Sequence, residues 1–438
     1  MSRHRAALAG LLALYLAARV VICVRGKVFT SYDSVSYRGD GLVSLTGNAP
    51  RMWGVPLFYA IFPNDQARAI AQWTVGTVAW ALLAWALWTW LRTLAARCVA
   101  VTGVLLLGLL PQVANWDFAI LSESLSISLA VVTLALLLRW GRTRSVWFLA
   151  GATATAVWWT FTRPDIRVLT VFLIVALVVV GRRRRAALAA AGVLAAAVIW
   201  GTAIIPAVDR TYTGWSATPE VRHEEGLLLF RLRLHVLPDP EVKAIFQREF
   251  GMPSCAGMEE IAAGPSWETA RFAVAYAQCP EIKAWGERNA PDIWQRYALA
   301  EPAVFARQTR DVVRLSVAGA DYAKTTRVVP VAVEKLVFPP RSWVLPVLAV
   351  ALALAVLAAL LRRGALAWIG LAVAGASAVS LLAGIWFGAG EYWRFGIQEA
   401  IGLRLAVLLV AVAVLDSARG ASATDAPRLR DQELGRLP

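Results

Sequence analysis

Asp33 lies in Thr30-Ser31-Tyr32-Asp33-Ser34-Val35-Ser36-Tyr37, just beyond the first long apolar run of the chain. A carboxylate at the rim of a bilayer, beside aromatics such as Tyr37 and a short amphipathic segment, has the chemistry of a base acting on a lipid-borne substrate. Further polar groups recur at the ends of later apolar runs. They are Asp117 and Glu123 in Asn115-Trp116-Asp117-Phe118-Ala119-Ile120-Leu121-Ser122-Glu123-Ser124, Arg163 and Asp165 in Thr162-Arg163-Pro164-Asp165, and Glu391, Arg394, Glu399 and Arg404 around the last turn. With Arg38 and Asp40 they define one polar layer at one membrane face. The apolar runs themselves read as nearly free of charge at mid-depth, where an ionised side chain costs about 2.5–3.5 kcal/mol. A solute path would place its charges near the midplane, so the layering points to chemistry at the interface.

Each of these residues has a structural reading beside the chemical one. Asp33, with Ser31 and Ser34, suits the amino-terminal cap of a short helix, and Asp40 in Gly39-Asp40-Gly41 suits a turn. Glu123 can be a carboxylate solvated by neighbouring serines at the water interface. Arg163 and Arg394 match the oxygens of a phosphate with a planar fork, or else snorkel to the interface; Arg163 and Asp165 can also form a local ion pair. Of the 20 tryptophans, Trp53, Trp116, Trp158, Trp159, Trp343, Trp386 and Trp393 cluster at the same face. Most fit an interface belt, with one or two, such as Trp393, able to stack on a sugar. No phosphate-binding glycine loop and no His-Glu-x-x-His occurs, and the three histidines lack ligand spacing, which argues against a protein-built zinc site.

The elements that must carry these residues follow from composition. Of 438 residues, 58% are hydrophobic and 17% charged, and the mean hydropathy of +0.58 exceeds what a soluble domain needs for its core. Apolar runs of about 20 residues, each long enough to cross roughly 30 Å of hydrocarbon as a helix, recur along the chain. We place spans near 6–24, 69–91, 98–115, 119–139, 146–162, 166–181, 186–206, 342–361, 365–387 and 399–416, about ten in all, so the expected fold class is an all-α polytopic membrane protein. The net charge of +15 sits in short loops, at Arg92 to Arg97, Arg139 to Arg144, Arg182 to Arg185 and Arg362-Arg363. That is the positive-inside pattern rather than a nucleic-acid face. It orients both termini to the cytoplasm and the polar layer to the outside. The first run continues through Val20-Val21-Ile22-Cys23-Val24 beyond any small-residue cleavage site and reads as an uncleaved anchor.

The chain then divides into a transmembrane module at 1–206, an outer, mainly helical domain at 207–341, further spans at 342–416 and a polar cytoplasmic tail at 417–438, expected to lack regular structure. Cys255 and Cys279 both fall in the outer domain, where oxidation is permitted, and are expected to form a disulfide. Cys23 and Cys98 read as ordinary apolar residues.

In order, side and spacing, these motifs resemble the GT-C superfamily of integral membrane glycosyltransferases. Asp33 is placed like the aspartate of that superfamily's first extracytoplasmic loop. Arg51-Met52-Trp53-Gly54-Val55-Pro56-Leu57-Phe58-Tyr59 resembles its juxtamembrane segment, and Leu121-Ser122-Glu123-Ser124-Leu125 its Ser-Glu pattern opening a middle span. Thr162-Arg163-Pro164-Asp165 is similar to a Thr-Arg-Pro-Glu turn, and Glu391-Tyr392-Trp393-Arg394-Phe395 to a late Glu-Arg-Tyr turn with altered order. The resemblance covers 1–185 and 385–405. The first loop lacks the adjacent acidic pair of the protein O-mannosyltransferases. The resemblance implies a polyprenyl-phosphate-linked sugar donor within membrane lipids, a glycan, lipid or protein acceptor, and inversion in a single displacement. Asp33 is then the base, Glu123 orients the acceptor or shares that role, and Arg394 with Arg163 stabilises the leaving phosphate. Some members hold a divalent metal with carboxylates, for which Asp33 with Asp117 or Glu123 would have to converge. The alternatives are a secondary transporter or lipid flippase, and a noncatalytic assembly partner in the cell envelope.

Overall fold

Backbone polar groups surrounded by lipid are satisfied within one segment only if it is helical, and the long Ala-, Leu- and Val-rich runs of this chain fold accordingly. The computed structural model describes residues 3–31, 33–38, 51–181, 183–211, 223–263, 270–319, 327–362, 364–387 and 392–434. Among them the only strand-like pairing is a single bridge between Phe29 and Ala119.

Helix α1 (Arg3–Arg25) leads into two short helices, α2 (Ser34–Arg38) and α3 (Gly54–Ala60), before α4 (Asp65–Trp90) recrosses the bundle. The Asn64 side chain accepts a hydrogen bond from the Ala67 amide, satisfying one of the orphan donors that start α4. Helix α5 (Leu94–Leu109) stops short of the expected run because Pro111 forces Leu110 into an extended conformation. The chain bends by 59° there and resumes as α6 (Pro111–Ala114) and a single 3-10 turn, Asn115–Phe118. Helix α7 (Glu123–Thr143) therefore begins at Glu123 rather than at 119. It is followed by α8 (Val146–Thr160), α9 (Ile166–Gly181) and α10 (Arg185–Thr211).

A layer of short helices comes next: α11 (His223–Arg231), α12 (Pro240–Glu249), α13 (Ala256–Ala263), α14 (Ala270–Gln278), α15 (Pro280–Asn289), α16 (Ile293–Ala300), α17 (Pro302–Val317) and α18 (Val331–Val337). Three of them open with proline, whose fixed φ suits the first helical position. Their core is aromatic, with Phe246, Phe272, Trp285, Trp294 and Tyr297 buried. Cys255 and Cys279 are joined as a disulfide. Helices α19 (Val344–Arg362), α20 (Ala365–Phe387), α21 (Tyr392–Phe395) and α22 (Ile397–Leu434) complete the chain.

The protein is thus an all-α, multi-pass membrane protein. Among the described residues seven helices are long and apolar enough to cross, and the bent pair around Leu110 makes an eighth candidate. The expected spans at 146–162 and 166–181 appear as helices of 15 and 16 residues, about 22–24 Å long and shorter than the roughly 30 Å core. The tail also departs from expectation, since α22 runs on to Leu434.

Candidate active site

The residues just after α1 are clipped to those just before α7. The Phe29 amide donates to the Phe118 carbonyl at 2.8 Å and the Ile120 amide to the Phe29 carbonyl at 3.0 Å. This brings Asp33 beside Glu123. The Asp33 carbonyl accepts from the amide and hydroxyl of Ser36, so the residue opens α2 through its backbone. Its side chain does not cap that helix; it accepts from Arg51 Nη2 and Arg394 Nη1, each at 2.7 Å. Helix α3 is docked by the Gly54 amide on the Phe161 carbonyl at 3.0 Å and by the Trp158 indole on the Gly54 carbonyl at 2.8 Å. A Cβ at position 54 would lie 2.6 Å from that Phe161 oxygen, which explains glycine there and holds Arg51 close. The Arg51 guanidinium lies 4.6 Å from the ring centre of Tyr37, whose hydroxyl donates to Ser122 Oγ at 3.2 Å.

Glu123 has a fully buried side chain (0% exposed). Its Oε1 accepts from Arg394 Nε at 2.7 Å and from Arg163 Nη1 at 3.4 Å. Arg163 forks onto Asp165 through Nε and Nη2 at 3.1 and 2.8 Å and also donates to the Phe395 carbonyl. The Phe395 ring lies 5.0 Å from the Arg163 guanidinium and 5.3 Å from that of Arg394. Three guanidinium groups and three carboxylates therefore alternate through one cluster, Arg51–Asp33–Arg394–Glu123–Arg163–Asp165. Charges taken out of water persist only when paired and hydrogen-bonded, and each of these six is. Asp33, 27% exposed, is the member open to solvent among the bonded pairs around Arg394. Burial alone would raise its carboxyl pKa, but the charges and hydrogen bonds of Arg51 and Arg394 outweigh that and hold it below the usual carboxylate value.

Of the residues singled out from the sequence, Asp33, Glu123, Arg163, Asp165, Arg394 and Tyr37 meet here. Asp40 and Glu391 lie outside the described residues, as does the side chain of Trp393. Arg38 turns away to Asp65. Arg404 donates to the carbonyls of Val337, Val317 and Ala400, so it ties the ends of α17 and α18 to α22 rather than joining the cluster. Asp117 is a correction. It forms a buried ion pair with Arg19 and accepts from Ser124 at 2.6 Å. The spans are accordingly not free of charge at depth: Arg19, 1% exposed, sits inside α1. The same network includes Gln72, which donates to the carbonyls of Asp117 and Ala119 and accepts from Tyr59. A lone arginine within an otherwise apolar run was the available signal for Arg19. For Arg51 the signal was only its position at the head of the juxtamembrane segment.

With Asp117 committed to Arg19, the carboxylates of Asp33, Asp117 and Glu123 do not converge on a metal. Among the described residues no three His, Cys, Asp or Glu side chains gather in a metal-holding group.

No protein-family model, curated protein or solved structure matches the chain. Fold and site define its class: a multi-pass helical membrane protein with a buried carboxylate–guanidinium cluster where the first loop, the start of α7 and the α8–α9 turn meet α21.

Proposed function

We propose that the protein is an inverting glycosyltransferase that moves a sugar from a polyprenyl-phosphate donor to an acceptor hydroxyl at the outer face of a bacterial plasma membrane. The observation that carries the reading is the sharing of Arg394 between the partly exposed Asp33 and the fully buried Glu123. A phosphate oxygen competes with a carboxylate for the same guanidinium fork. When a lipid phosphate engages Arg51 and Arg394, Asp33 loses the two partners that depress its basicity and becomes able to accept a proton. The donor itself would thereby prime the base. Glu123 and Arg163 have no such exposure; they keep Arg394 aimed while it changes partners.

In the displacement, the acceptor oxygen forms a bond to the anomeric carbon as its proton passes to Asp33. The bond from that carbon to the phosphate oxygen breaks, and the lipid phosphate leaves with the electron pair, its charge stabilised by Arg394. If the bent pair and the short α8 and α9 cross beside the seven long helices, ten crossings result. An even number would then put both termini on one side, which the arginine-rich loops favour as the cytoplasm, with the cluster outside. Resemblance to the GT-C superfamily supports the same assignment, and the acceptor is then a cell-envelope glycan, lipid or protein.

The test is Asp33→Asn in lipid nanodiscs, assayed for transfer from polyprenyl-phosphate sugars. Loss of the base lowers the rate by about 10²–10⁴; near-normal turnover sinks the assignment. A secondary transporter is the second reading, and the bend at Leu110 together with the Arg19–Asp117 pair inside the bundle are the observations for it. It predicts solute flux in proteoliposomes that Asp117→Asn abolishes, without glycosyl transfer.

A further inference from the structure

Helix α21 has four residues, Tyr392–Phe395, too few to hold a conformation by itself. Yet it carries Arg394, which must meet Asp33 and Glu123 at once. The parts that hold it come largely from the layer of short helices. Between α11 and α12 the chain makes one turn of π-helix, Leu232–Val236, closed by the Leu237 amide on the Leu232 carbonyl at 2.9 Å. Such turns insert an extra residue into a helix and are frequent at functional sites. This one carries His235.

His235 is buried. Its Nε2 is hydrogen-bonded to the Tyr392 hydroxyl and lies 3.3 Å from the Ile385 carbonyl at the end of α20. Its ring stacks on Trp386 at 4.6 Å and meets Trp294 edge-on at 5.8 Å. Its backbone carbonyl accepts from Gln308 of α17 at 2.7 Å. Trp386 is gripped in turn by α17, through an indole hydrogen bond to Thr309 at 3.0 Å and stacking on Phe305 at 4.1 Å. On the other side of α21, a Cβ added to Gly396 would lie 2.5 Å from the Ser316 Cβ, so α17 abuts the turn directly.

We infer that His235 is a positioning residue for Arg394, fixing Tyr392 and with it the turn that presents the guanidinium to the site. The inference rests on reading Arg394 as the phosphate ligand. An arginine that exchanges a carboxylate for a phosphate needs a base that stays still during the exchange. Errors of about 1 Å in such a group are enough to lose one to two orders of magnitude in function. The short-helix layer is on this view part of the active site's frame, and its π turn is kept to reach Tyr392.

The experiment compares the full chain in detergent with His235→Leu, His235→Gln, Tyr392→Phe and the His235→Leu/Tyr392→Phe double variant. Farnesyl phosphate serves as the binding probe, followed by calorimetry, and amide hydrogen exchange is followed over α21 and the start of α22. The expected results are a loss of about ten- to a hundredfold in affinity for His235→Leu and Tyr392→Phe, no further loss in the double variant, and recovery in His235→Gln, whose amide can bond Tyr392. The exchange of Gly396 and Ala400, whose amides bond the Tyr392 and Gly396 carbonyls at 3.0 and 2.9 Å, should rise in His235→Leu and Tyr392→Phe. Unchanged exchange overturns the inference. Raised exchange with unchanged affinity does too, by leaving His235 a merely structural part. If the parent protein binds no farnesyl phosphate while exchange still rises with Gln rescue, the phosphate reading of Arg394 fails and the hold of His235 on the turn stands.

Discussion

Glu123→Gln is the perturbation that discriminates most sharply between a charge-balanced anion site and an inert ion-pair network. Glutamine keeps the size of the side chain and one acceptor oxygen but removes the charge that Arg394 Nε meets at 2.7 Å and Arg163 Nη1 at 3.4 Å. With charge centres about 4 Å apart and an effective dielectric constant near 20, that attraction is worth about 4 kcal/mol. Removing one partner of a buried pair costs about 3–5 kcal/mol. Arg163 retains Asp165 and Arg394 retains Asp33, so the low end, about 3 kcal/mol, is expected. The variant also leaves one positive charge without its match, which an anion can supply. Added phosphate should therefore stabilise Glu123→Gln more than the parent; for the variant the gain reaches about 2.7 kcal/mol at a hundred times its own dissociation constant. The assay is unfolding in detergent, read by tryptophan fluorescence, against inorganic phosphate and farnesyl phosphate at constant ionic strength. A variant as stable as the parent, or one that phosphate does not rescue, refutes the account of the cluster as an anion site held in balance by its own carboxylates.

Three further outcomes follow from the structure. Arg19→Ala should destabilise the bundle by about 3–5 kcal/mol by stranding Asp117, whereas Arg19→Met with Asp117→Leu should recover most of that loss; denaturant unfolding of the three proteins checks it. Breaking the Cys255–Cys279 bond, whose partners are 24 residues apart, should lower stability by about 3–4 kcal/mol in the chain-entropy account, seen as a reductant-sensitive melting transition absent from Cys255→Ser/Cys279→Ser. Burial, with Arg231 nearby, lowers the His235 pKa to about 4 although its bond to the Ile385 carbonyl opposes this. As pH falls below about 6.5 the unfolded imidazole takes a proton that the folded one refuses until about pH 4. About 3 kcal/mol of stability should vanish across that window and none above it; His235→Gln should flatten this part of the pH profile, and a parent profile flat from pH 7 to 4 contradicts the buried neutral ring.

The candidate site was more legible in the sequence than its internal wiring. Asp33, Glu123, Arg163, Asp165 and Arg394 could be singled out because charge at the end of an apolar run is expensive to keep without a reason. The partners could not. That Asp33 bonds two arginines 18 and 361 positions away depends on where α3 and α21 dock, and docking depends on shape. Gly54 against Phe161 and Gly396 against Ser316 are close approaches with no periodicity to announce them. Asp117 looked like one more member of the rim and instead faces Arg19.

What the sequence determined alone is the class of molecule. Hydrophobic length and arginine placement are one-dimensional quantities, and in lipid they leave the backbone no alternative to helices. Even the break at Leu110 is local, since Pro111 dictates the conformation of its neighbour. The pairing of charges was decided only in three dimensions. An ionised group in low dielectric takes whatever opposite charge the packed helices bring within about 4 Å, and that distance is set by contacts between residues hundreds of positions apart.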